Sequence, residues 1–151
     1  DFLRYALGEP DSAVPVQVSR YDSGMINHMI THLTFGSVQA ICEGVWHISD
    51  AVPFRASFRA DFDHATVDFN SMRKPDRLIV YTDKSETIIP LRAEEEKTVD
   101  NQMNISSLGA YLTEDRYFIR SILEGTPNEI APLGEGIGSV RLCRRLLEQV
   151  R

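Results

Sequence analysis

The stretch from Phe54 to Phe69, where apolar and polar residues alternate, constrains this chain more than any other. Ala56, Phe58, Ala60 and Phe62 fall on one side of an extended strand, and Arg55, Ser57, Arg59, Asp61 and Asp63 fall on the other. Successive side chains of a strand point oppositely, so this period of two predicts a sheet with one face in a core and one face polar. A reversal near Asp63 to Ala65 turns the run into a pair of strands. Strand patterns continue to about Leu91 and helix patterns follow Ser106, which predicts an α+β fold: an open, mainly antiparallel sheet of about seven strands with helices packed on one face.

The turns set the order of the strands. Val14 to Tyr21 alternates, with Val14, Val16 and Val18 on one side; Asp22-Ser23-Gly24 turns into Met25 to Phe35, and Phe35-Gly36-Ser37 turns into Val38 to Ile48. Two such short turns make an antiparallel meander. Further strands are expected at Thr66 to Asn70, Leu78 to Thr82 and Thr87 to Leu91, separated by Arg73-Lys74-Pro75-Asp76 and Asp83-Lys84-Ser85. Arg92 to Asn104 has no periodicity and reads as a surface loop. Leu108, Tyr111, Leu112, Phe118, Ile119, Ile122 and Leu123 mark one face of a helix that Gly125 and Pro127 stop, and a second helix over about Gly134 to Val150 would turn Ile137, Val140, Cys143, Leu146, Leu147 and Val150 inward.

Composition narrows the classes of partner. With 151 residues and 42% hydrophobic content the chain can build one domain with its own core, expected to span 1–151. A net charge of -6 argues against nucleic acid or an anionic membrane, both of which require a basic patch. Arg141, Arg144 and Arg145 cluster at helical spacing, as expected of a solvated helix face near its C-terminal end. No apolar run approaches the ~20 residues that span a bilayer. Cys42 and Cys143 are isolated within apolar patterns, so buried thiols in a reducing cytoplasm are expected.

Few side chains combine in a way that carries chemistry. Gly134-Glu135-Gly136-Ile137-Gly138-Ser139 has the look of a dinucleotide-binding turn, but it lacks a preceding strand, a third glycine where Ser139 stands and a following parallel strand. His28 and His32 share one face of a strand about 13 Å apart, too far to hold one metal ion. The stretch from Glu43 to Arg55 differs, because it gathers the only tryptophan, Trp46, with His47 and Arg55 at a strand end. That combination suits a hydroxylated or anionic small molecule; the other reading is that Trp46 caps the core and His47 is merely exposed.

The first residues, Asp1-Phe2-Leu3-Arg4-Tyr5-Ala6-Leu7-Gly8, have helix spacing with Gly8 as a stop but hardly any beginning, as if cut from a longer protein. Together with Glu9-Pro10, with Phe35-Gly36-Ser37 ahead of Gly44-Val45-Trp46, and with Phe118-Ile119-Arg120-Ser121-Ile122-Leu123-Glu124-Gly125-Thr126-Pro127, they resemble the C-terminal domain of the glucose-fructose oxidoreductase and inositol dehydrogenase family, Gfo/Idh/MocA. The resemblance implies a dihydrodipicolinate-reductase-like C-terminal domain that helps bind substrate and forms the oligomer interface, preceded by a Rossmann domain that binds NAD or NADP. It places the catalytic histidine three residues before Asp1 and the catalytic lysine in the Rossmann domain, so no catalytic or cofactor-binding residue falls in this chain. Asp1, Trp46, His47 and Arg55 are then its share of a substrate pocket, and Arg55, Ser57, Arg59, Asp61 and Asp63 the face that meets another subunit. A protein-interaction module using the open sheet, or a small-molecule sensor domain, are the alternatives.

Overall fold

The computed structural model describes residues 1–47, 49, 51–91, 110–130 and 132–151. It is an α+β chain with seven antiparallel strands, and these form two sheets. The single open sheet expected from the strand patterns is therefore corrected: among the described residues β3 pairs only with β2, β4 pairs only with β5, and no strand joins them. The expected loop at Arg92 to Asn104 lies outside the described residues. By contacts the chain divides into two compact units, Asp1–Ala51 with Asn128–Arg151, and Val52–Pro127.

In the first unit, helix α1 (Phe2–Leu7) leads into strands β1 (Ser12–Arg20), β2 (Ile26–Phe35) and β3 (Val38–Val45), and helix α3 (Leu133–Gln149) completes it; α2 (Ala110–Glu124) belongs to the second. Gly36 adopts φ 59° at the first of the two residues linking β2 to β3, the left-handed conformation that primed hairpin turns require. Its N–H donates to Asp11 Oδ2 at 2.6 Å. Met29, Leu33 and Phe35 then share one face of β2 with Ala13 and Ala40 opposite Leu33, and that face packs on Leu142 and Leu146 of α3 and on Leu3 of α1.

Two sequence expectations change here for a local reason each. Val14 and Val18 lie on opposite faces, because the β1–β2 register slips between Pro15 and Gln17 and leaves Val16 as an extra residue. Proline cannot donate to the ladder, so the irregularity falls beside it. On α3 the buried residues are Leu142 and Leu146, while Ile137, Val140 and Leu147 of the expected stripe are exposed. Half of the true inner face is polar, which hides it from a hydrophobic count. Both cysteines are exposed, correcting the expectation of buried thiols: Cys143 is off the Leu142 and Leu146 face, and Cys42 is on the edge strand β3.

In the second unit, β4 (Ser57–Phe62), β5 (Ala65–Asn70), β6 (Arg77–Tyr81) and β7 (Glu86–Pro90) form a meander in chain order. Phe58, Phe69, Leu78 and Ile89 align in register across all four strands, with Ala60, Val67 and Val80 as a second apolar row. Phe58 and Phe69 rings stack tilted with centroids 5.8 Å apart. The opposite face carries Ser57, Arg59 and Asp61 with Asp68 and Thr66, yet it also holds the buried Ile79. Helix α2 ends at Gly125 (φ 64°) as expected, but Phe118, Ile119, Ile122 and Leu123 are exposed. Leu108 of the same expected stripe lies outside the described residues. Among the described residues no helix is long and apolar enough to cross a membrane.

Candidate functional site

Trp46 and His47 leave the first sheet where β3 ends. The Trp46 N–H donates to the Asn27 carbonyl at 2.7 Å, and the Trp46 carbonyl accepts from the Tyr21 hydroxyl. The backbone is thus held from both sides while the indole is 73% exposed, which sets aside the reading in which Trp46 caps the core. His47 beside it is exposed as well. Asp1 stands at the head of α1, where its carbonyl accepts the Tyr5 N–H at 2.8 Å and its side chain makes no capping bond. Arg55 is exposed in the second unit, in the segment before β4. Of the expected pocket residues, then, only Trp46 and His47 are brought side by side within one unit.

Of the five residues expected to meet another subunit, Ser57, Arg59 and Asp61 share the polar face of β4, whereas Arg55 precedes the strand and Asp63 lies in the turn after it. Arg59 Nε donates to Asp61 Oδ2 at 3.0 Å and Thr66 Oγ1 donates to Asp61 Oδ1 at 2.8 Å. An exposed ion pair of this kind adds little stability, so its value lies in presenting an ordered polar surface.

Sequence reasoning missed Arg4, whose side chain joins α1 to α3. Arg4, only 8% exposed, reaches from α1 to the head of α3: its Nη1 donates to the Glu135 carbonyl at 2.7 Å and to Ser139 Oγ at 2.8 Å, and its Nη2 to Glu135 Oε2 at 3.1 Å. Its Nε donates to Glu9 Oε1 at 2.8 Å. The hydrogen bond to Glu9 raises the Arg4 pKa above the ordinary arginine value against the opposing effect of burial, and the hydrogen bond from Arg4, aided by the charges of Arg4 and Arg145, holds the Glu9 carboxyl below its own. A small residue one turn before Leu142 on the inner face of α3 was the signal available in the sequence.

A second missed pair lies on the outer face of the first sheet, where His28 Nε2 and Glu43 Oε1 are 2.8 Å apart. His32 shares that face of β2, as expected, with Val14 and Ile41 as its neighbours in register. Two clefts flank α3. One of about 260 Å3 lies between the start of β1 and Leu142, Leu146 and Gln149; one of about 480 Å3 is lined by Arg141, Arg144 and Arg145 with Glu9, Gly138 and Glu148. Neither includes Trp46, His47 or Asp1. Arg144 is paired with Glu148 at 3.1 Å.

The glycine segment at residues 134–139, which the structure winds into the first turns of α3, does not fit a dinucleotide. Pro132 rather than a strand leads into it, the Arg4 guanidinium fills the space over Gly138, and the Glu135 and Glu9 carboxylates beside that guanidinium would repel a pyrophosphate. Among the described residues no group of three or more His, Cys, Asp or Glu could hold a metal ion. No protein-family model matches the chain, and no curated protein matches it.

Proposed function

We propose that this chain is the substrate-binding and assembly part of an oxidoreductase of the Gfo/Idh/MocA type, moving hydride between NAD or NADP and a sugar, polyol or similar hydroxylated molecule. The observation that carries this reading is the Trp46 loop: an exposed indole on a backbone anchored at both its N–H and its carbonyl, with His47 next in sequence. An aromatic plate held by a rigid sheet, beside a hydrogen-bonding imidazole, suits the apolar face and hydroxyl edge of a sugar-like ring.

On this reading Asp1 adds to the pocket, and Arg55, Ser57, Arg59, Asp61 and Asp63 face another subunit. The nucleotide and the proton-handling lysine belong to a preceding Rossmann domain and the histidine stands three residues before Asp1, so the chain alone is inert. Fluorescence titration with NADH and NADPH tests this: binding by the full-length gene product and none by the 151-residue chain is expected, and a full-length product that binds neither overturns it. The exposed stripe of α2, Phe118, Ile119, Ile122 and Leu123, favours a second reading as a protein-interaction module without chemistry. That module would give the overturning result.

A further inference from the structure

Phe2, Tyr5 and Leu7 of helix α1 are exposed, so the helix lies against the unit along only part of its surface. Its attachments include Leu3, which packs on the Leu33 cluster, and Arg4. The head of α3 is an adverse place for a cation, because helix N-termini carry partial positive charge. The site therefore depends on the Glu135 and Glu9 carboxylates, on the Glu135 carbonyl and on Ser139 Oγ. It depends also on a missing side chain. A Cβ at Gly138 would lie 2.2 Å from Arg4 Nη2 and 2.6 Å from its Cζ, whereas Gly134 and Gly136 have nothing within 4 Å. What such a Cβ meets is the tip of a flexible side chain, so the guanidinium would yield while the backbone stays in place.

We propose that α1 is a strap locked to α3 by the Arg4 guanidinium, with Gly138 kept bare to admit it, and that the strap releases while the rest of the unit stays folded. The third glycine of the turn thus serves an arginine rather than a phosphate. Glu9 closes the lock from the α1 side, accepting from Arg4 Nε at 2.8 Å. One consequence rests on the proposed function: Asp1 heads the strap, so Arg4 is a positioning residue for that part of the pocket. The lock itself does not rest on it.

Hydrogen exchange by NMR on the full chain tests the lock without reference to activity. In Gly138→Ala, the Tyr5 and Gly8 amides, which bond to the Asp1 and Arg4 carbonyls, are expected to exchange at least ~10-fold faster, with Leu33 unchanged. Exchange at Tyr5 and Gly8 within about twofold of the wild type overturns the proposal, as does loss of protection spreading to Leu33, which would make α1 part of the fold. Arg4→Lys keeps the charge but not the planar fork and is expected to behave like Gly138→Ala. Wild-type exchange in Arg4→Lys would show that a point charge suffices and overturn the guanidinium lock.

Discussion

Each of the two sheets has an apolar face, but among the described residues only in the first is that face closed over. On β2, Leu33 is 4% exposed beneath Leu142 and Leu146 of α3; on the second sheet Phe58, Phe69 and Leu78 are half-buried and Ile89 is 44% exposed. The second sheet buries Ile79 most deeply, and it does so on its otherwise polar face. There the Asp68 carboxylate, in register with Ile79, is paired with Arg73. Alternation along a strand therefore tells which face is apolar, whereas burial depends on which element lies over it.

The largest effect expected from this contrast is in Leu33→Ala, which should lower the unfolding free energy of the first unit by about 3 kcal/mol in a denaturant titration followed by circular dichroism. Phe58→Ala should cost less, about 1 to 2 kcal/mol, because its ring is half-exposed and leans on Phe69. A Phe58→Ala cost equal to that of Leu33→Ala would break the comparison, since the second face would then have to be covered too.

A smaller and local effect concerns pH. The Glu9 carboxyl, ordinarily near 4.5, is held lower by its hydrogen bond from Arg4. A folded-state pKa below the unfolded one stabilises fully above the ordinary value and is lost as pH falls through the folded value. Protection of the Tyr5 amide should therefore hold at about pH 6 and decline below about pH 4, with Leu33 changing less over that window. A decline that starts near neutrality would assign the strap to a different group. The smallest effect is expected for Glu148→Gln, within about 0.5 kcal/mol, because its partner Arg144 is exposed and precedes it in the less favourable i,i+4 order.

The meander turns were legible from Gly24, Gly36 and their neighbours, and strand boundaries followed within a few residues, because turn chemistry is local. The split into two sheets was not legible, since pairing between successive hairpins depends on a ladder that the sequence does not write. The inner face of α3 was misread for a different reason. Its working positions include Glu135, Ser139 and Gln149, whose partners Arg4 and the Ala13 carbonyl are far away in sequence, so a rule that counts only apolar residues chose Ile137, Val140 and Leu147 instead. Of the candidate site, Trp46 and His47 were visible as an unusual composition at a strand end. The anchoring of Trp46 by Tyr21 and Asn27 was not visible, because it requires the β1–β2 hairpin to fold back beside β3.

The irregularity at Val16 bears on how the first sheet meets other chains. Strand β1 is one border of that sheet, and a residue without an N–H followed by an unpaired one breaks the regular row of donors and acceptors that an incoming strand would need. Strand β3, the other border, keeps an unbroken register from Val38 to Val45. Within this sheet, β-augmentation is thus discouraged along β1, and β3 carries the templating edge.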